Sequence, residues 1–363
     1  SRKEHSGCRR TRPPGTRAQR REERSIISQN CRGLKTDARL TELAHVLRLR
    51  HAYIGGLQET WRLGDEEPFE EDGYTFLFAA PAQQGRRGSQ GVGLALSKSA
   101  TTAWRAAGSP VWRISPRVVA ARCLARDPVK RTQQLGLFPL STYAPVSTAP
   151  DADWDQYYID VAAALSHAKP NDIILWCMDG NASIGRGSLG GCSPHDDGRA
   201  GAVGPYGFDH INASGRRLRC FLETHALASL PSFFAKPYYG TWLHPRSKRM
   251  HQLDHVATSQ RDLYRFTDAG SLRGQVIDSD HRAVGCKLRF AEGQHKKPPK
   301  SARAMLARLD YSSLRGPSAD RERCAFAHDV LRQLGLPSSS PLPLSPPLLT
   351  SSASPVLQSG HMQ

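Results

Sequence analysis

Short apolar runs alternate with helical stripes from about Ser25 to about Phe290. Runs of about four to eight β-prone residues between polar stretches predict strands. On that rule strands are expected at Ser25–Asn30, Tyr53–Leu57, Thr75–Phe78, Val92–Leu96, Val118–Leu124 and Leu135–Thr142. Ile173–Met178 is an unbroken apolar run, the pattern of a fully buried strand. Further strands are expected around Thr241, at His255–Ala257 and at Arg282–Leu288. Leu40, Leu43, Val46 and Leu47 recur at helical spacing and predict a helix over Arg39–Leu49. Trp154–Leu165 and Arg216–His225 read as two more, the last with Ser214 as N-cap, followed by Gly215. Elements interleaved in this way predict an α/β domain.

The ends differ from this middle. Residues 1–24 are Arg-rich and nearly devoid of large apolar side chains, so they are expected to be a disordered basic tail. The same tail would serve as a non-specific nucleic-acid or nuclear-import arm. Residues 291–335 open with a Lys/Pro stretch and read as a linker with a weak helical pattern, and 336–363 as a Ser/Pro-rich tail. The expected organisation is therefore 1–24, 25–290, 291–335 and 336–363. The first residue is Ser1 rather than methionine, which reads as a fragment or an incomplete gene model.

The formal net charge of +17 favours a polyanionic partner, because cationic surface displaces counterions from phosphate backbones. No apolar run is long enough for a transmembrane helix, and the N-terminus lacks the apolar core of a signal peptide. Nucleus or cytoplasm is expected, without secretion and without a membrane partner. The eight cysteines are scattered and form no CxxC pair, so no disulfide framework is expected. Cys192 and His195 have a ligand-like spacing but no second pair nearby, so no zinc is expected.

Polar residues recur at the ends of the predicted strands, where α/β sheets build their sites. Asn30 closes the first strand, Glu59 follows the second, and Tyr143 and the pair Asp179 and Asn181 follow later ones. Asp254 precedes His255–Ala257, and Ser279-Asp280-His281 precedes the last strand. These types suit phosphodiester hydrolysis. Glu59 is a hard oxygen ligand for Mg²⁺ or Mn²⁺. Asp179 can take a proton from an attacking water. Asn181, two residues on along an extended segment, would hold the nucleophile or the phosphate from the same side. His281 can donate to a phosphate oxygen, with Asp254 fixing its tautomer and charge. Asp280 would face another direction, towards metal or nucleophile, and Tyr143 can donate to the phosphate.

Asn30, Gln58-Glu59-Thr60, Tyr143-Ala144-Pro145, Asp179-x-Asn181, Gly240-Thr241-Trp242, Leu253-Asp254-His255 and Ser279-Asp280-His281 resemble, in order, the endonuclease/exonuclease/phosphatase superfamily. Within it the chain looks most like the apurinic-like endonucleases of non-LTR retrotransposons and the related craniofacial development protein 2-like sequences. Gly204-Pro205-Tyr206-Gly207 and Asn212 to Leu218 are similar to their Gly-rich and Asn-Gly-x-x-Leu element. The resemblance implies a four-layer α/β sandwich, two packed mixed β-sheets flanked by helices, with the site at one edge. It implies Mg²⁺-dependent hydrolysis of a nucleic-acid phosphodiester. Glu59, Asn30 and Asp280 would serve the metal, Asp179 would activate the nucleophile, and Asp254 would pair with His281. Three positions depart from the pattern. Arg32 stands where repair-type relatives carry an acid, Gly180 stands between Asp179 and Asn181 and would loosen that turn, and His255 replaces an aromatic or aliphatic residue.

Arg246, Lys248 and Arg249 between Trp242 and Asp254, and Arg86 and Arg87 in another loop, are expected to contact DNA, with Trp242 stacking or wedging. The function expected is a DNA-nicking endonuclease derived from a mobile element, partnered by a reverse transcriptase encoded elsewhere or in a longer parent chain. The alternatives are a DNA-repair endonuclease or exonuclease, a phosphoinositide or nucleotide phosphatase, and a catalytically decayed binding module.

Overall fold

A computed structural model describes residues 23–82, 90–126, 134–187, 201–274 and 277–290. Most of the basic tail, both C-terminal segments, Arg86, Arg87, Cys192 and His195 lie outside the described residues.

The chain begins with β1 (Glu23–Asn30), α1 (Asp37–Leu49) and β2 (Ala52–Gln58). Next come β3 (Phe69–Glu71), β4 (Tyr74–Ala79), β5 (Val92–Ser97), α2 (Lys98–Ala106), β6 (Val111–Ser115), β7 (Val118–Ala121) and β8 (Cys123–Arg126). The middle carries β9 (Gln134–Tyr143), α3 (Asp151–Leu165), β10 (Ile173–Asp179) and α4 (Ala213–Thr224). The described chain closes with β11 (Leu227–Ser229), β12 (Trp242–Leu243), β13 (Met250–His251), β14 (Asp254–Ser259), β15 (Phe266–Ser271) and β16 (Val284–Arg289).

Two seven-stranded sheets result. One runs β15-β16-β1-β2-β5-β4-β3, and the other runs β11-β14-β10-β9-β7-β6 with β8 also paired to β9. Each holds one parallel pair, β1 with β2 and β9 with β10, among antiparallel neighbours. Apolar faces of both sheets share one core, in which Ile26, Ile54 and Leu94 meet Val119, Leu175 and Val256. The approach is close at β2 and β10, because a Cβ on Gly56 would stand 2.2 Å from Cys177 Cβ. Leu40, Leu43 and Leu47 of α1 cover the outer face of the first sheet against Ile27, Leu57 and Phe76. Trp154, Tyr157 and Val161 of α3, with Leu218 and Leu222 of α4, cover the second against Phe138, Leu140 and Trp176. The result is a four-layer α/β sandwich, two mixed sheets with helices outside each.

Local chemistry accounts for several boundaries and for several differences from expectation. Thr36 caps α1 by accepting from Arg39 N, with Asp37 in the first turn and Arg48 in the last, both favourable to the helix dipole. Helix α4 is capped by Asn212 rather than Ser214, its carbonyl accepting from Gly215 N. Gly215 is required in that turn, since a Cβ there would lie 1.9 Å from Ser183 O. The single strand expected over Val118–Leu124 is broken at Arg122, which leaves the ladder to form a two-pronged ion pair with buried Asp172. Helix α2, only nine residues long, and the short strands β3, β6, β11, β13 and β15 are not among the elements expected from the sequence. The described cysteines Cys31, Cys123, Cys177, Cys220 and Cys286 are unpaired. No helix among the described residues is long and apolar enough to cross a membrane.

Candidate active site

Strand direction gathers the scattered polar residues at one end of the sandwich. The parallel pairs end together, with Asn30 opposite Gln58 and Asp179 opposite Tyr143. Antiparallel β14 starts there, with Asp254 opposite Asp179, and β16 starts just after His281. All the metal and catalytic residues expected from the sequence lie at this end. Seven of the eight expected there are Glu59, Tyr143, Asp179, Asn181, Asp254, Asp280 and His281, and the eighth, Asn30, ties them together. Glu59, Tyr143, Asp179, Asn181, Asp280 and His281 line an open cleft of about 420 Å³.

Asn30 is the bracket of the site. Its Nδ2 donates to Glu59 Oε1 at 2.9 Å and to Asp179 Oδ2 at 2.8 Å. Its Oδ1 accepts from Arg32 N at 3.0 Å, which sets the orientation of the amide. In this arrangement Asn30 positions the two carboxylates through its Nδ2, while its Oδ1 accepts one hydrogen bond and keeps a second lone pair.

Asp179 is almost fully buried. Burial, then the neighbouring Asp254 carboxylate, raises its carboxyl from 3.8 to about 7, against the opposing pull of His281. The segment after it is not extended, because β10 ends at Asp179 and Asn181 takes a left-handed φ of 45°. Asn181 N donates to Asp179 Oδ1 and its Nδ2 to Ala144 O, which keeps the side chain at the cleft wall. Gly180 does not loosen this turn, since its N–H donates to Leu253 O at 3.0 Å.

His281 Nδ1 donates to Asp254 Oδ2 at 2.9 Å. Burial alone would lower the imidazole, but the charge and hydrogen bond of Asp254 outweigh it and raise it from 6.5 to about 10. His281 is therefore held in its protonated form at neutral pH, and it lines the cleft. Ser279 locks this segment down, its hydroxyl donating to Asn30 O and accepting from His281 N. Thr241 Oγ1 accepts from Leu253 N and Asp254 N and so holds the start of β14. Burial, then Glu59 and Asp179, pushes the Tyr143 hydroxyl well above its ordinary value and keeps it a donor. The guanidinium of Arg117 lies 5.3 Å from the Tyr143 ring centroid.

Asp179, Asp254 and His281 offer ligand atoms within 4.8 Å of one another, a group that could hold a metal ion. This trio is not the Glu59, Asn30 and Asp280 set expected from the sequence. The proton shared by His281 Nδ1 and Asp254 occupies one of its donor atoms, so the ligands best suited to a cation are the carboxylates. Glu59 and Asp179 converge on one amide, and burial first, then the nearby Asp254 carboxylate, raises the Asp179 carboxyl, a strain on the carboxylate form that a bound cation would relieve. That hard-oxygen set fits a divalent cation of the Mg²⁺ or Mn²⁺ type. Asp280 stands apart, accepting from Trp242 Nε1 at 3.2 Å and lying 3.7 Å from Arg32.

The expected DNA contacts divide. Arg246, Lys248 and Arg249 are exposed on the turn joining β12 to β13, a hairpin beside the cleft. His244 builds its tip by accepting from Arg246 N and Ser247 N. Trp242 reaches back to the site, its ring centroid 6.3 Å from that of His281. Sequence reasoning did not single out His210, Asn212 and His251 as cleft residues. Asn212 ties the turn at Asn181 to α4 by accepting from Ser183 N and donating to Asn181 O. His255 does the same from below, its Nε2 donating to Ala182 O while Nδ1 accepts from Ser229. No local signal distinguishes such ties from ordinary loop polarity.

No protein-family model matches the sequence, and no curated protein matches it. Solved structures do. The AP endonuclease LMAP of Leishmania major is 16% identical over 74% of this chain and 89% of its own, with a TM-score of 0.53. The endonuclease domain of TRAS1, a telomere-specific non-LTR retrotransposon, is 14% identical over 74% of this chain and 99% of its own, with a TM-score of 0.46. The 3′ phosphatase NExo from Neisseria is 16% identical over 73% and 99%, with a TM-score of 0.48. Likeness at these identities is one of fold: the chain has the endonuclease/exonuclease/phosphatase fold.

Proposed function

We propose that this chain is a metal-dependent phosphodiester hydrolase that nicks DNA, of the kind carried by non-LTR retrotransposons. The observation that carries the reading is the pairing, in one cleft, of a carboxylate cluster bracketed by Asn30 with a buried, cationic His281. One side suits a cation and a nucleophile, and the other suits phosphate oxygens.

Glu59 would hold Mg²⁺ (or Mn²⁺), with Asp179 beside it and Asp280 across the cleft. Such an ion offsets charge on the phosphate and on the leaving oxygen. Asp179 accepts a proton from water as the water oxygen bonds to phosphorus, and the bond to the leaving strand oxygen breaks. Asn181 holds the nucleophile or the phosphate. His281 Nε2–H and the Tyr143 hydroxyl donate to phosphate oxygens, where negative charge grows. The basic hairpin tip at Arg246, Lys248 and Arg249 grips the backbone, and Trp242 contacts the nucleotide at the cut. Within this reading Arg32, in place of an acid, favours the retrotransposon type over the repair type.

The test is nicking of supercoiled plasmid with Mg²⁺ by the wild type, Glu59→Ala and Asp179→Asn. Asp179→Asn is expected to cost roughly a hundredfold or more, the scale of general-base catalysis, and Glu59→Ala to abolish most activity by removing the metal ligand. Equal activity in all three would refute the mechanism. An abasic-site duplex preferred over intact plasmid would indicate repair. Clearance of phosphoinositides without nicking would indicate a lipid phosphatase.

A further inference from the structure

Arg32 lines the cleft, yet the hydrolytic set above leaves its guanidinium without a task. We propose that Arg32 is a phosphate ligand: its guanidinium binds a non-bridging oxygen of the cleaved DNA strand, as a fixed cation supplementing His281. This rests on the nuclease reading and names a contact within that same site.

Placement is the first ground. The segment after β1 runs beside the segment after β2, with Cys31 N donating to Gln58 O, Gly33 N to Glu59 O and Leu34 N to Thr60 O. Arg32 is thereby held alongside Glu59. Its own N–H is pinned by Asn30 Oδ1, the amide that brackets Glu59 and Asp179. Its φ of 46° is left-handed, as are those of Glu59 (49°) and Asn181 (45°). Non-glycine residues adopt that conformation at a cost, and such residues gather at functional sites.

Charge is the second ground. Among the described residues lining the cleft, Arg32 is the only arginine or lysine. Neighbouring arginines are engaged in structure. Arg39 donates to the carbonyls of Cys31, Gly33 and Asp278, and Arg117 donates to that of Tyr143. Arg32 instead comes no nearer than 3.7 Å to Asp280 Oδ1, too far for a hydrogen bond, and its side chain is 57% exposed. Asp280 thus tethers the guanidinium at the cleft without saturating it. The planar fork of N–H donors matches paired phosphate oxygens.

The experiment compares full-length wild type, Arg32→Ala and Arg32→Lys. Plasmid nicking is measured with Mg²⁺, and binding of a fluorescein-labelled duplex by anisotropy in EDTA over a salt series. Arg32→Ala is expected to lower kcat/KM roughly tenfold to a hundredfold, as loss of a charged hydrogen bond does. Its log Kd against log salt should flatten by about one unit. Arg32→Lys should restore the salt slope but only part of kcat/KM, because an ammonium is a point charge. A merely structural arginine would leave the salt slope in place. If the wild type nicks, Glu59→Ala does not, and Arg32→Ala keeps the wild-type slope and kcat/KM, the Arg32 assignment is overturned alone. A wild type inert toward DNA removes both it and the nuclease reading.

Discussion

Asp254→Asn isolates the electrostatic half of the proposed mechanism while preserving side-chain shape. In the wild type the Asp254 carboxylate outweighs burial and holds His281 protonated to about pH 10. The asparagine removes that charge, leaving burial opposed only by Asp179 and Asp280. His281 then falls back towards its ordinary 6.5, and near pH 7.5 only about one ring in ten is charged. Losing a preorganised charged donor to a transition-state oxygen costs about 10²–10³ in rate. Because the tenth of the rings still charged keeps the full donor, a fall in kcat of about tenfold is expected in plasmid nicking at pH 7.5, growing as pH rises, with imidazole resonances followed by NMR titration. Folding should respond as well. Because His281 is raised on folding, the pair stabilises fully below pH 6.5 and loses that contribution as pH rises through about 10. The gap in urea stability between wild type and variant should be about 3–5 kcal/mol near neutrality and close above pH 10. Wild-type nicking by Asp254→Asn, or a wild-type His281 that titrates near 6.5, would refute the reasoning.

Three further outcomes are expected. Asp179 is raised to about 7 and must be ionised to accept a proton, so kcat/KM should rise with pH through about 7. Added Mg²⁺, which competes with the proton for the carboxylates, should move that limb to lower pH, and a limb indifferent to Mg²⁺ would count against metal binding here. His255→Leu leaves Ala182 O and the Ser229 hydroxyl without their partner, for a loss of about 1–3 kcal/mol in urea unfolding and a lower kcat through the loosened Asn181 turn. An unchanged urea midpoint would remove His255 from the support of the site. Gly56→Ala drives a methyl to 2.2 Å from Cys177 Cβ, so about 1–3 kcal/mol or more of stability should be lost by thermal or urea unfolding.

The sequence by itself determined the types and the order of the chemistry. Asn30, Glu59, Tyr143, Asp179, Asp254 and His281 stand at strand ends because alternating apolar runs must stop where the chain leaves the core. Those runs also set most of the central strands and the helices expected over Arg39–Leu49 and Trp154–Leu165, which the structure begins a few residues earlier, at Asp37 and Asp151. Only the tertiary structure decided how the groups act. Parallel pairing sets where β1 and β10 end, and the packing of the two sheets face to face at β2 and β10 then brings residues 149 positions apart into one hydrogen bond, from Asn30 to Asp179. Short-range patterns carry no information about such pairing. Likewise the titration of Asp179 and His281 depends on burial and on neighbours from other strands, which no local spacing reveals. The N-cap at Asn212, the break at Arg122 and the turn at Asn181 followed from specific partners: Ser183, Asp172 and Asp179. Arg32 shows the division most clearly. Its identity was legible as a departure from pattern, but its place beside Glu59 and Asp280 was set by the meeting of three separate strand ends.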